Sequence, residues 1–500
     1  MSESFKNKLR FGLLRLVCKL NFATGVRFLI VCGMDVNAKT EDEWRPMHFA
    51  AQYGCVTIAK VLIQNGATIH PLTKTDNSSL EIALSCNRKD MAEFLVNNGS
   101  DVNRRQKASG NTPIFLAIEN ENVELTRLLL EHGANLNVEV NDVSLRTPLH
   151  LAIAKESLEI VKLITDYGIS VDAPNGKGDP PLHFAIIQNK STDILAHLID
   201  VGANVELMSS YYWSPLKTAI LNNKYEMAAL LIEKGAEVNK VGENEWLPLT
   251  CSIANGRIEL VSLLIKKGAN VNAITGSLTP LRTAIINDDI ECAKLLIENK
   301  ADLNQHDGSN WLPIHAAIQH KRSQIARLFI ENMTEIDQLD LNGRSPLHLA
   351  SLKGMHEVIE ALIYHGTSSI NLNTAIFNWT PLHFGAYKGH LKACQTLIAN
   401  GADILYQDSN GKSALQWAAQ IGHEECVVLL LEYGADINGM DFNGDSPLHL
   451  AVFNQHENVV ALLKRYGACI NKKNFKGINP MEAALTEMSF NVFKIIVMMP

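Results

Sequence analysis

Several short motifs in this chain contain residue types that bind metal ions in other proteins. A histidine directly followed by a glutamate occurs three times, at His356-Glu357, His423-Glu424 and His456-Glu457. A zinc hydrolase helix needs a second histidine four residues after the first, so that both rings reach one ion from the same helix face. The chain has Glu360, Val427 and Val460 at those positions. The pairs therefore predict no metal site, and we expect each glutamate to lie in the first turn of a helix.

Two other motifs contain ligands for phosphate and calcium. Gly411-Lys412-Ser413 matches the end of a phosphate-binding loop, but the first glycine of such a loop is replaced by Tyr406. Turns of the form Asp-x-Asn-Gly match the centre of a calcium loop, but the acidic residue that closes the loop would fall on Leu349, Trp417 or Leu450. The sequence therefore predicts no catalytic residue, no metal, no cofactor and no enzyme activity.

The residues that do recur indicate a repeated structure. Variants of Thr147-Pro148-Leu149-His150 return every 32 to 35 residues, with Ser79 and Ala414 where two copies lack the proline, which gives fourteen units. A period of this length is typical of a solenoid. Seven histidines share the last position of the phrase, and because they lie one repeat apart they cannot form a catalytic cluster: His48, His150, His183, His315, His348, His383 and His449.

Each unit predicts two short helices. A hydroxyl N-cap followed by proline, as in Thr147-Pro148, begins the first helix. An apolar stripe between Ile160 and Ile164 marks the second. Two such helices cannot bury their stripes alone, so neighbouring units must stack. Glu121 and Glu156 stand where other first helices end at glycine, so we expect these repeats either to be less stable or to end the helix by another turn.

The recurring phrases resemble the ankyrin repeat. The first is Thr-Pro-Leu-His, and the second follows about twenty residues later, as in Gly133-Ala134-Asn135-Leu136-Asn137. The resemblance covers essentially the whole chain. It implies an all-α ankyrin-repeat solenoid of stacked helix pairs with projecting β-hairpin loops. It also implies that the recurring histidine is structural and forms hydrogen bonds within and between repeats, but it does not identify a partner.

The period divides the chain into three parts: an N-terminal capping repeat (1–38), a continuous ankyrin repeat array (39–478) and a terminal repeat (479–500), complete or incomplete. In the capping repeat we expect an inner helix over residues 8–19 and an outer helix over 23–31. Its basic residues are expected to give it a solvated outer side: Lys6, Lys8, Arg10, Arg15 and Lys19. The last helix is apolar nearly all round, which predicts self-association through Phe493 and Ile496 unless more chain or a partner covers it.

Composition limits the classes of partner. The net charge is −8, and no apolar run of 18 residues predicts a membrane span. Nine cysteines, an odd number with no Cys-x-x-Cys pair, are typical of a reducing compartment, so we expect a cytoplasmic protein. The basic loops at 104–107 and 472–476 are expected to be solvated tips, because no extended basic stripe predicts nucleic-acid binding. The expected partners are proteins.

The candidate binding residues are aromatic. Five of the six tryptophans occupy one position, immediately before the cap and proline, and Tyr211 and Tyr212 adjoin one of them: Trp44, Trp213, Trp246, Trp311 and Trp379. We call this position the slot. By the resemblance it lies at the base of a hairpin loop and faces the concave groove, where partners bind. Other repeats have polar residues in it, among them Asp179, Arg344 and Lys412. Two interpretations remain open: the tryptophans pack against a neighbouring hairpin, or they anchor a partner.

The resemblance adds a modification hypothesis and an alternative function. Ankyrin repeats are substrates of an asparaginyl hydroxylase, and four asparagines that end the second phrase have a leucine eight residues earlier: Asn37, Asn137, Asn239 and Asn272. The alternative is that these asparagines only bond within their hairpins. For function we expect a non-catalytic protein-binding scaffold or adaptor. The alternative is the ankyrin segment of a larger membrane channel or of a secreted pore-forming toxin.

Overall fold

A computed structural model describes residues 3–138, 147–240, 247–486 and 490–498, which form thirty α-helices in fifteen consecutive pairs. The chain divides into two compact units, Met1–Asn244 and Glu245–Pro500. The helices of the first unit are α1 Glu3–Lys19, α2 Ala23–Val31, α3 Pro46–Tyr53, α4 Val56–Gln64, α5 Ser79–Ser85, α6 Lys89–Asn97, α7 Pro113–Glu119, α8 Val123–Glu131, α9 Pro148–Ala154, α10 Leu158–Asp166, α11 Pro181–Ile187, α12 Thr192–Asp200, α13 Pro215–Leu221 and α14 Tyr225–Glu233.

The helices of the second unit follow the same pattern. They are α15 Pro248–Ala254, α16 Ile258–Lys266, α17 Pro280–Asn287, α18 Ile290–Glu298, α19 Pro313–Gln319, α20 Ser323–Asn332, α21 Pro346–Lys353, α22 His356–Tyr364, α23 Pro381–Lys388, α24 Leu391–Ala399, α25 Ala414–Ile421, α26 Glu424–Glu432, α27 Pro447–Phe453, α28 Glu457–Arg465, α29 Pro480–Thr486 and α30 Phe490–Met498. Within the described ranges the loops contain no extended strand, only two isolated antiparallel bridges, Leu72 with Ser78 and Thr275 with Leu278.

Within each unit, helices pack on the corresponding helices of the next pair. In the first unit α3 packs on α5 and α4 on α6, and in the second unit α21 packs on α23 and α22 on α24. From α3 to α28 the first helix of each pair is buried over most of its length, whereas the second helix buries only one face. Each apolar stripe is thus covered by a neighbouring repeat, as a solenoid requires. The predicted all-α architecture of stacked helix pairs is confirmed.

The two repeats without proline begin their first helix with a side-chain cap instead. The Ser78 hydroxyl accepts the Glu81 backbone N–H at 3.2 Å, and the Glu81 carboxylate accepts the Ser78 backbone N–H at 2.6 Å. Ser413 and Gln416 make the same reciprocal pair in front of α25. This capping box satisfies two backbone N–H groups that would otherwise lack a partner. The start of the helix is therefore fixed without proline.

Helix ends resolve the alternatives left open for Glu121 and Glu156. Both residues take left-handed backbone conformations, with φ of 53° and 60°, at the position eight residues after the helix proline where Gly54, Gly354 and Gly389 are also left-handed. Glycine is needed elsewhere for space as well as for φ: a Cβ atom at Gly389 would lie 2.5 Å from the His423 ring of the next repeat. That ring bonds the Tyr387 carbonyl at 3.1 Å, which ties the two repeats together.

The predicted solvated side of the capping repeat is only partly correct. Arg15 and Lys19 are exposed as expected, but the exposed side of α1 also carries leucines, of which Leu20 is 67% exposed. At the other end of the chain, Ile496 of α30 is buried, so it does not belong to an exposed face as the self-association hypothesis assumed. In the described ranges no helix is long and apolar enough to cross a membrane, and no group of three acidic, histidine or cysteine side chains could hold a metal ion.

Candidate functional site

The loop before each first helix fixes the backbone of the slot residue. In several described loops the first residue accepts the backbone N–H of the slot residue four positions later, and for Trp379 the acceptor is Thr374, five positions earlier. Asp307 accepts that of Trp311 at 2.8 Å, and Asp408 accepts that of Lys412 at 2.9 Å. In each loop the carboxylate also accepts the N–H two positions on, which closes a tight turn. The slot is thus held by a short polar turn whatever its own side chain is.

The recurring histidine of the preceding repeat fixes the slot carbonyl. The His183 Nε2–H donates to the Trp213 carbonyl at 2.8 Å, and the His383 Nε2–H donates to the Lys412 carbonyl at 3.1 Å. His150, His315, His348 and His449 make the same bond to Asp179, Arg344, Trp379 and Ile478. Burial lowers the pKa of His150 and His348 to about 4, so the rings are neutral. The predicted structural role of these histidines agrees with this geometry.

Trp379 lies in an aromatic cluster that joins two repeats. Its ring centroid is 4.8 Å from that of Trp417 and 5.2 Å from that of Tyr387. Both indole N–H groups donate to one oxygen of the buried Asp408 carboxylate, at 3.1 Å from Trp379 and 2.9 Å from Trp417. The Lys412 ammonium lies 4.6 Å from the centre of the Trp417 ring, a cation–π contact. At this slot the tryptophan packs between repeats.

Sequence reasoning missed Trp417 because it is the one tryptophan outside the slot. It occupies the fourth position after its cap, Ser413, the same place that Phe384 has after Thr380. Trp379 contacts both of these rings, its own repeat's Phe384 at 5.0 Å and the next repeat's Trp417. Comparing this helix position in successive repeats would have revealed the pair, because stacking brings it next to the preceding slot.

The remaining described slot tryptophans differ in what they contact. Trp44 packs on Phe49 of its own first helix at 5.2 Å, so it too has a packing role. Trp213 has Tyr211 at 6.0 Å and the Lys217 ammonium at 5.7 Å, and the adjoining Tyr211 and Tyr212 are 69% and 62% exposed. These three aromatic residues share one loop of the first unit.

Trp311, in the second unit, makes the fewest side-chain interactions of the described slot tryptophans. It is half-buried, and only its backbone hydrogen bonds are seen: in the described part of the chain its indole has no ring neighbour and no hydrogen-bond partner. Trp246 lies outside the described residues, so the expectation for it stands as a prediction. The described slot tryptophans therefore differ in their contacts: Trp44 and Trp379 pack on aromatic rings, whereas Trp311 has no ring neighbour in the described residues.

The asparagines that end the second phrase connect successive repeats. The Asn37 side-chain amide donates to the Gly66 carbonyl at 2.9 Å, and its oxygen accepts the Thr68 N–H at 2.8 Å. The Asn272 oxygen accepts the Asp302 N–H at 2.8 Å in the same way. Asn137 and Asn239 are exposed at the equivalent position. These bonds give the asparagines a structural role that does not depend on modification.

Comparisons with known proteins agree with this architecture. The family model described as ankyrin repeats (3 copies) matches residues 14–106, 104–175, 170–242, 239–307, 314–408 and 382–474. The ankyrin repeat protein FPV031 of fowlpox virus is 32% identical over 184 residues, which are 36% of this chain and 44% of the viral protein. Human ankyrin repeat and SOCS box protein 6 is 37% identical over 91 residues, 17% of this chain and 21% of that protein.

A toxin is also similar over part of its length. Alpha-latrocrustotoxin-Lt1a of Latrodectus tredecimguttatus is 29% identical over 199 residues, which are 37% of this chain and 14% of the toxin. The chain thus spans less than half the length of each of these three relatives. Because the family model matches nearly the full length of the chain and the helix pairs stack as the repeat requires, the chain belongs to the ankyrin repeat family.

Proposed function

We propose that this protein is a non-catalytic scaffold or adaptor that captures a partner protein through its slot residues. The observation that supports this best is the contrast between backbone and side chain at the slot. Its carbonyl accepts the same histidine bond whether the residue is Asp179, Trp213, Arg344 or Lys412. The fold therefore constrains the position of the slot but not its side chain. A fixed backbone that presents variable side chains is what a family of binding proteins needs.

Two groups of aromatic residues are the proposed anchors, one in each unit. Tyr211 and Tyr212 are exposed beside Trp213 in the first unit, and Trp311 has an unengaged indole in the second. Tyrosine and tryptophan supply large contact areas and dominate binding hot spots. Trp44 and Trp379, which were also candidates from sequence, pack on aromatic rings, and we expect them to contribute less to binding. We also propose a cytoplasmic location, on the cysteine usage alone. No observation on the described residues favours the channel or toxin alternative over the scaffold.

The test is capture of the partner by the full chain, followed by affinity measurement with the purified partner. We expect Trp246→Ala and Trp311→Ala each to weaken binding by about 2 kcal/mol or more, as hot-spot truncations do. Helical content should not change, because the Trp311 indole forms no ring contact and no hydrogen bond within the described residues. Tyr364→Ala is the matched control, since Tyr364 is an exposed aromatic residue on a second helix, away from the slots. Unchanged affinity in both tryptophan variants would contradict the proposal.

A further inference from the structure

The exposed side of α1 carries a row of leucines that the repeat stack leaves uncovered. Leu9, Leu13, Leu16 and Leu20 are 55%, 42%, 51% and 67% exposed, whereas Leu14 on the opposite side is buried. Their spacing of four, three and four residues places Leu9, Leu13 and Leu16 along one line of the helix. Leu20 directly follows the last residue of α1 and continues this line, since its N–H donates to the Leu16 carbonyl at 2.9 Å. We call these four residues the leucine row. Contiguous exposed apolar side chains of this kind mark interaction sites.

Gly12 lies in the middle of α1 beside the leucine row, and the fold does not require a glycine there. A Cβ atom at Gly12 would meet nothing within 4 Å, and the residue has an ordinary right-handed helical backbone. A glycine within a helix destabilises it relative to alanine. What a glycine does permit is the close approach of another backbone. Gly12 therefore leaves room for the backbone of a second helix to approach this side of α1 closely.

The charges around the leucine row indicate the charge expected on the partner's surface. Residues 1–27 contain six basic side chains and one acidic side chain. Lys19 is exposed on the Gly12 side of the row and forms no ion pair with a carboxylate in the described residues. Arg15 lies further round the helix, where its Nε–H donates to the Tyr53 hydroxyl at 3.1 Å. A second copy of the chain would bring the same positive charges to the contact. Acidic residues on the partner complement this surface.

We propose that the leucine row and Gly12 dock an amphipathic α-helix of a partner protein that carries acidic residues beside its apolar stripe. The partner helix would lie along α1 with its apolar side chains between the leucines and its backbone closest at Gly12. Its acidic residues would face Lys19. This surface is separate from the slot residues, so the proposal does not depend on the proposed function of the slots. An anionic lipid surface would use the leucines and the basic residues but would gain nothing from Gly12.

The experiment uses the full chain and a synthetic probe of about 18 residues, long enough to form a helix. The probe has leucines at alternating spacings of three and four with glutamates beside them. We expect binding by calorimetry, weakened at least about tenfold by Leu13→Gln with Leu16→Gln. Gly12→Leu should weaken binding equally without lowering the melting temperature, because leucine favours the helix over glycine. Leu405→Gln, at a leucine that is 60% exposed in the second unit, is the control and should bind normally.

Four results would overturn the proposal. The first is no binding of the glutamate probe, and the second is equal binding of a probe with lysines in place of the glutamates. The third is binding of the chain to phosphatidylserine vesicles, lost in the leucine variants, without binding of the probe; the surface would then be a lipid contact. The fourth is a concentration-dependent dimer that the leucine variants abolish, because the occupant would then be a second copy.

Discussion

At the scale of single residues, Arg104 stabilises the buried carboxylate of Glu81 by forming an ion pair with it. Glu81 occupies the place of the recurring histidine in its repeat and is 1% exposed. The guanidinium of Arg104, from the next loop, donates to both oxygens of Glu81 at 2.9 Å and pairs with Asp76 at 2.7 Å. The expectation that Arg104 is a solvated loop tip is therefore wrong. The histidine's bond between repeats is replaced here by an ion pair between repeats.

Removing one partner of this ion pair should be costly. We expect Arg104→Ala to lower the free energy of unfolding by about 3 kcal/mol, because it leaves the Glu81 carboxylate buried without its cation. Lys107→Ala, in the same loop and exposed, should have little effect. In a double-mutant cycle, Glu81→Gln should recover part of the loss in the Arg104→Ala background. Equal stability of Arg104→Ala and Lys107→Ala in denaturant titrations would show that the pair contributes nothing.

Asparagine hydroxylation is the second proposal at this scale. We expect peptide mass spectrometry of the chain purified from cells to show one added oxygen on at least one of Asn37, Asn137, Asn239 and Asn272. Asn371 is the internal control: its side chain donates to the Gly401 carbonyl at 3.1 Å, as Asn37 does to Gly66, but Ile363 stands where the others have leucine. Asn371 should stay unmodified. The absence of added oxygen at all four sites would leave only the structural role.

At the scale of elements, the boundaries of the helices were predictable and the contacts between helices were not. An N-cap and proline give the start of α9, and Ser413 with Gln416 gives the start of α25, because these signals act within one turn of helix. The contact of Trp379 with Trp417 and that of Arg104 with Glu81 join successive repeats. Their geometry depends on how far one repeat is shifted against the next, which no local sequence signal specifies.

The last helix, α30, also shows that contacts between helices could not be predicted from the sequence. Its sequence, apolar nearly all round, predicted self-association through Phe493 and Ile496. Val492 and Ile496 instead pack inward, while Phe490 and Val497 are 76% and 51% exposed. We propose that self-association uses the exposed pair. Phe490→Glu with Val497→Glu should abolish association in sedimentation experiments without unfolding the chain. Ile496→Glu should instead lower the melting temperature, because it buries a charge. A wild-type monomer at tens of micromolar would contradict the proposal.

At the scale of the whole molecule, stability depends on many similar repeats that differ in the residue at the end of the first helix. The free energy of unfolding of a solenoid is nearly the sum of the stabilities of its repeats and of the interfaces between them. The repeats that begin with α21, α23 and α25 end their first helices at glycine, and His390, His423 and His456 of the following repeats bond back to them. The repeats that begin with α7 and α9 hold Glu121 and Glu156 in left-handed conformations, which are unfavourable for residues with a side chain.

Unfolding should therefore proceed in steps. We expect hydrogen exchange in rising denaturant to show protection lost in α7 to α10 before α21 to α26, and a single uniform transition would contradict this. Glu121→Gly with Glu156→Gly should raise the free energy of unfolding of α7 to α10 by about 1 kcal/mol for each substitution, because glycine takes a positive φ without strain. Protection in these helices should then be lost at a higher denaturant concentration. Glu124→Gly is the matched control, because Glu124 lies in the right-handed first turn of α8. Glycine should destabilise the helix there, so protection in α8 should be lost at a lower denaturant concentration than in the wild type. If all three glycine substitutions shift protection in the same direction, backbone conformation at the helix ends does not set the order of unfolding.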